Sequence, residues 1–294
     1  KFDHAPGDVR RRALLFEHAP VKELERRGWI APATSDSVLE SELRRFFEID
    51  SLESTPHMRL AARQSVNMDA LSSAQVAWCY RAAQLARCVQ AAQYKRERLV
   101  AALPALRELA RSAESVKRVP RFLAEVGVRL VIVERLARTR IDGAAIILNE
   151  RPVVALSLRY DRIDSFWHTL CHEIYHILHG DGEAMLDVDL YDDADRQWSV
   201  QPDVERRADD QAAALLVPAE ELTSFILRIK PLYSKTKIIQ FANRMKVHPG
   251  IVVGQLQHRG GLGYHAHREM LVKVRDTITE RAMTDGFGHT PTGI

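Results

Sequence analysis

The stretch Phe166-Trp-His-Thr-Leu-Cys-His-Glu-Ile-Tyr-His-Ile-Leu-His-Gly180 decides how the rest of the chain is read. Trp167, Leu170, Cys171, Ile174, Ile177 and Leu178 recur at three- and four-residue spacing, which predicts a helix with one buried face, and Gly180 supplies its stop. His168, His172, His176 and His179 form a second stripe on the same helix. Within that stripe, His172-Glu-Ile-Tyr-His176 is a His-Glu-x-x-His arrangement. Two imidazoles one turn apart on one face can grip a single zinc ion, and Glu173 beside them can take a proton from an activated water. His168 with His172 is a rival pair of equal spacing, but Thr169 stands where that pair would need its carboxylate. His172 and His176 are therefore the preferred ligands, and His179 is read as a helix-end residue or a support for the ligands.

A catalytic zinc takes three protein ligands and leaves one position open. Glu205-Arg-Arg-Ala-Asp209 opens a second helix whose apolar face is Ala208, Ala212, Leu215 and Leu216. Glu205 is the expected third ligand. Asp209, one turn further, then stands where it can accept the remaining ring N–H of a ligand histidine and fix its tautomer.

Upstream of the histidine helix, whose N-cap is expected at Asp164 or Ser165, lie β-branched runs at 128–133, 144–148 and 153–158. Asp142-Gly143 and residues 150–152 read as the breaks between them, so the last two runs form a hairpin in a small sheet. Residues 153–158 are the candidate strand for aligning an extended peptide by backbone hydrogen bonds. Downstream, the acidic segment after Gly180 reads as a loop, followed by helices at 203–217, 220–229, 235–245 and 249–257. Before residue 120 everything reads as helix, at 21–27, 38–47, 74–94 and 97–113. The expected fold is α+β, mostly helical, with a small sheet beside the His-Glu-x-x-His helix. Its expected divisions are a helical module at 1–120, a zincin-like domain at 121–276 and a flexible tail at 277–294.

Composition narrows the function classes. Of 294 residues, 46% are hydrophobic and 28% charged, a balance that argues against wholesale disorder. No apolar run approaches the roughly 20 residues of a membrane helix, and no secretory leader is seen, so the expected location is the cytoplasm, with no membrane partner. Cys79, Cys88 and Cys171 are too few and too odd for a disulfide framework, which fits a reducing compartment. Cys79 or Cys88 could fill the open zinc position if the fold brought it there, whereas Cys171 faces away from the ligand stripe. The chain opens at Lys1, so its native start is expected upstream.

The net charge of +3 hides a segregation. Residues 181–210 hold eleven acids against three arginines, while 222–268 hold eight Lys or Arg and no acid. Residues 238–256 read as helix, tight turn, helix, with Ala242 and Val247 at helix-turn-helix packing positions and Lys235, Lys237, Arg244, Lys246 and Arg259 as the nucleic-acid contacts. A DNA-binding regulator whose zinc site is structural or regulatory, without turnover, is thus the alternative to an enzyme. Helices that only close the domain are the other reading of this segment. Arg10, Arg11, Arg12, Arg26 and Arg27 read as solvated helix surface.

Three motifs in order resemble the ImmA/IrrE family of bacterial metallopeptidases. They are Phe166-Trp-x-x-Leu-x-His-Glu-x-x-His176, then Glu205-x-x-Ala-Asp-x-x-Ala-Ala-x-Leu-Leu-Val-Pro218, then Phe241-Ala with His248-Pro-Gly-Ile-Val-Val-Gly-Gln-Leu256, and the likeness spans residues 125–276. The resemblance implies a gluzincin-like zinc site with His172, His176 and Glu205 as ligands and Glu173 as general base. It further implies an endopeptidase that cuts a partner helix-turn-helix repressor under DNA damage, phage or mobile-element stress, with single-stranded or other DNA as an activator. Gln211 replaces the family's usual aromatic residue. Residues 21–30 resemble a segment that follows an N-terminal helix-turn-helix in some relatives, which is expected upstream of Lys1.

Overall fold

The structure is a computed structural model that describes residues 15–17, 19–51, 71–180, 184–188 and 203–289. It is α+β and mostly helical, and its five strands form one mixed sheet in the order β4-β2-β3-β1-β5. Strands β1 (Arg129–Val133), β2 (Ile141–Leu148), β3 (Arg151–Leu156), β4 (Ala184–Val188) and β5 (Met283–Asp285) follow in chain order. β1 runs parallel to both β3 and β5, while β2 runs antiparallel to β3 and β4. All five residues of β1 are buried, as expected of a parallel strand covered on both faces. The β2–β3 hairpin turns at Asn149 and Glu150 with φ of 50° and 63°, the left-handed pair that a tight turn between right-twisted strands requires.

Two predicted strand features are corrected. Asp142-Gly143 does not end a strand but lies inside β2, at an irregularity in its pairing with β4. The strand expected to align a peptide, 153–158, is β3 and is paired on both sides, so it offers no free edge. The strand at that side of the sheet is β4, which lies in the acidic segment read as loop. The rest of that segment falls outside the described residues.

Alternation along β1 and β3 sends side chains into two cores. Val131, Val133, Val153 and Ala155 pack against α1 (Val21–Arg26), α2 (Asp36–Phe47) and α3 (Ser73–Arg87). Leu130, Ile132, Val154 and Leu156 face the other core, with α4 (Arg96–Leu109), a 3-10 turn at Ala113–Arg118, α5 (Val119–Glu125), α6 (Ile163–His179) and the helices that follow. Among the described residues before 120, α1–α3 pack on one face of the sheet and α4 with the 3-10 turn on the other. α3 begins with a reciprocal cap between Ser72 and Gln75 and stops at Arg87, short of the predicted residue 94. It is fixed to the sheet by Trp78, whose Nε1 donates to the Val133 carbonyl at 3.0 Å.

The remaining helices are α7 (Asp203–Leu216), α8 (Ala219–Ile229), α9 (Lys235–Met245), α10 (Pro249–His258) and α11 (Arg275–Thr279). α11 and β5 correct the expectation of a loose tail from 277, although 290–294 fall outside the described residues. Asp285 of β5 is buried and paired with the buried Arg81 of α3, so the end of the described chain is locked across the sheet. No described helix is long and apolar enough to cross a membrane.

α10 presses on the start of α6 through glycines. A Cβ at Gly254 would lie 2.3 Å from Asp164 Oδ2, and one at Gly250 would lie 2.7 Å from Ile163 Cγ2. Asp164 is not the N-cap of α6; Arg162 is, and it grips the Asp164 carboxylate at 3.0 and 2.6 Å while also reaching Gln257 of α10 at 3.1 Å. The helix terminates as expected, at Gly180 with φ 63°.

Candidate metal centre

α6 carries its apolar stripe into the core and turns its histidines toward α7. His172 and His176 are almost fully buried, at 2% and 3% exposure. Their Nε2 atoms stand 2.8 Å apart. Glu205, in the first turn of α7, places Oε2 3.2 Å from His172 Nε2 and Oε1 3.6 Å from His176 Nε2. Tetrahedral ligands about 2.0–2.1 Å from a zinc-sized ion lie roughly 3.3 Å from one another, so these three edges scatter around the value that one shared ion imposes. Two imidazoles and a carboxylate also make a donor set of the right chemistry for such an ion. The residues fit a divalent metal.

Asp209 sits one turn beyond Glu205 and accepts from His172 Nδ1 at 2.8 Å. That bond fixes the proton on Nδ1 and leaves the Nε2 lone pair pointing at the trio. The same Oδ1 lies 3.2 Å from His168 Nε2. His168, the rival ligand in sequence, is therefore brought to the carboxylate that orients His172, and these three residues form a second group with metal-ligand spacing. Burial acts to raise the Glu205 carboxyl, but hydrogen bonds to His172 and His176 outweigh it and hold the group down at about 2. Asp209 follows the same pattern. Burial opposes ionisation, and the bonds to His168 and His172 keep the carboxyl far below the usual carboxylate range. Both acids are anionic at neutral pH.

Glu173 is fully buried on the sheet side of α6. Strand β2 reaches it through Gly143, where an added Cβ would stand 2.6 Å from Glu173 Oε1. Sequence reasoning missed this seat because Asp-Gly reads as a turn; an isolated glycine within a strand also marks close approach of another group. His179 lies apart from the trio, with its Nε2 on Gln211 Oε1 and its ring stacked 6.0 Å from Tyr175. Gln211 thus holds the end of the histidine stripe.

The cysteines do not join the trio. Cys79 belongs to the core on the α1–α3 side, and burial, with the Glu173 charge second, pushes its thiol up to about 12. Cys171 faces the other core and is raised to about 12 by burial. Cys88 is exposed at the end of α3.

α9 and α10 are joined by the short turn expected, but α10, the helix that would have to enter a groove, has Gly250, Ile251, Val252, Val253, Leu256 and Gln257 buried. All five basic residues are exposed, and two of them carry ion pairs. Lys235 pairs with Glu269 at 3.5 Å and Arg244 with Glu221 at 2.8 Å, so the acid-free window 222–268 is flanked by its own counter-charges. Arg259 donates to Thr223 Oγ1 at 3.2 Å, and Lys246 forms the left-handed cap of α9. Lys237 gives its backbone N–H to Ser234 Oγ at the start of that helix, with its side chain exposed. Arg27 is bound to Glu23 and to the carbonyls of Glu134 and Arg135, whereas Arg10, Arg11 and Arg12 fall outside the described residues.

No protein-family model matches the chain, and no curated protein matches it either.

Proposed function

We propose that this protein is a zinc-dependent endopeptidase, with His172, His176 and Glu205 as the metal ligands and Glu173 as general base. The observation that carries the reading is the convergence of two buried ring nitrogens and a carboxylate within 3.6 Å, next to a buried carboxylate one residue from the first ligand. When bound, zinc supplies a lowered pKa to water and polarises the scissile carbonyl. Glu173 accepts the proton of the attacking water and delivers it to the departing amine nitrogen. Asp209 holds His172 in the tautomer that presents Nε2. The outer edge of β4, beyond its pairing with β2, is where an extended substrate would add as a further strand.

The substrate proposed is a helix-turn-helix repressor, cut in response to DNA damage or to phage and mobile-element stress, with single-stranded DNA as a trigger; the support is the resemblance in the three motifs. Cytoplasmic location accords with it. Burial of α10 speaks against the alternative of a DNA-binding regulator that reads a groove with this helix. The test is incubation of the zinc-loaded chain with the repressor encoded beside its gene, with and without single-stranded DNA, next to a Glu173→Gln control. Cleavage abolished by Glu173→Gln is expected. Cleavage that survives the change rejects the assigned base, and an intact repressor under every condition rejects the protease.

A further inference from the structure

A second site lies on the face of the sheet turned away from α6. A cavity of about 340 Å³ opens there, lined by Arg87, Arg129, Leu148, Asn149 and Arg151. Arg129 and Arg151 begin the neighbouring parallel strands β1 and β3, on the face shared by Val131 and Val153, and Arg87 closes the last turn of α3. Arg129 is only 6% exposed, and its Nε donates to the Val89 carbonyl at 2.9 Å just beyond α3. Burial first, and the charge of Arg151 second, lower its hold on the proton. Among the described residues the one ion pair at the cavity wall is that of Arg87 with Glu48, at 3.0 Å for Nη2 to Oε2. Buried Arg129 is thus held at a concave surface that the exposed Arg151 of the neighbouring strand also lines. Buried charges ordinarily sit with an opposite charge, because desolvation is otherwise costly.

We propose that this cavity binds a small phosphate-bearing molecule of nucleotide size. Guanidinium forks match phosphate oxygens two at a time, and the Asn149 amide adds a polar contact at the hairpin tip. Leu148 provides an apolar wall for an organic moiety, and the volume is that of small-ligand sites. The charges converge on one concavity instead of running along a stripe, which favours a compact ligand over a nucleic-acid backbone. The site is independent of the metal centre.

Calorimetry on the zinc-loaded full chain tests this with AMP, pyrophosphate and a single-stranded oligonucleotide as separate probes. One AMP or pyrophosphate per chain is expected, with affinity falling about tenfold or more in Arg151→Gln, a change at an exposed residue. Arg129→Lys, which keeps the charge and removes the fork, is expected to weaken binding likewise at unchanged circular dichroism. Arg244→Gln, on α9, is expected to leave it untouched. The proposal is overturned if neither small probe binds at millimolar concentration, if Arg151→Gln binds as the parent does, or if only the oligonucleotide binds.

Discussion

Replacing Gly143 by alanine places a methyl carbon 2.6 Å from Glu173 Oε1, 2.8 Å from Thr169 Cγ2 and 3.1 Å from Glu173 Cγ. Ordinary contact begins near 3.4 Å, so the carboxylate must retreat by about 0.8 Å or β2 and α6 must part. Glu173 is fully buried, with no solvent to move into. Overpacking of this kind costs about 1–3 kcal/mol, which for a chain of this size lowers Tm by roughly 2–4 °C per kcal/mol. A displacement approaching 1 Å at the base is expected to cost about 10²-fold in kcat. Zinc content is expected to stay at the parent level, because the atoms nearest an added Cβ belong to Glu173 and Thr169 and not to the three proposed ligands. The decisive assay repeats the change in a Thr169→Ser, Glu173→Ala background, which removes all three contacted atoms. There Gly143→Ala is expected to cost less than about 0.5 kcal/mol in urea unfolding, the difference being the coupling energy. Equal costs in both backgrounds, or a Gly143→Ala chain as stable as the parent, would refute the close seat of Glu173 on β2.

Three further outcomes follow from the same geometry. His248 caps α10 by accepting the Gly250 N–H on Nδ1 at 3.1 Å, and burial lowers its pKa. Below about pH 6.5 the unfolded chain binds more protons there than the folded one, so stability is full above that pH and declines as pH falls through it. In chelator-treated protein, His248→Asn is expected to flatten the loss of stability between pH 7 and 5; an unchanged slope contradicts the cap. Asp285→Ala leaves the buried Arg81 without its partner and is expected to cost about 3–5 kcal/mol, whereas a loose tail would cost nothing measurable in thermal unfolding. Iodoacetamide is expected to modify exposed Cys88 in the native protein and to reach Cys79 and Cys171, both at about 12, only on unfolding, as read by mass spectrometry.

The histidine helix was legible because its chemistry and packing share one period: the residues that bury it and those that present the metal donors recur every three or four positions on different faces. The same logic located Glu205 and Asp209 one turn apart on α7. It could not say that Asp209 serves His168 as well as His172, since that depends on how two helices cross. Short strands escaped for want of pattern. β5 has three residues, and what anchors it is the single pair of Asp285 with Arg81, some 200 positions away in sequence. In the helix-turn-helix segment, helical periodicity tells which face is apolar but not whether the opposite face is covered. Charge counting within 222–268 leaves out two counter-charges for a related reason. The partners Glu221 and Glu269 stand immediately outside the window, and one of them reaches across from another helix.

The central claim is the shared grip of His172, His176 and Glu205 on one divalent ion, and elemental analysis of the purified chain tests it most directly. One zinc per chain is expected in the parent. Single alanine changes at His172, His176 or Glu205 are expected to lose it at unchanged circular dichroism, and His179→Ala is expected to retain it. A parent chain free of zinc after zinc loading, or one whose zinc survives all three ligand substitutions, would contradict the claim.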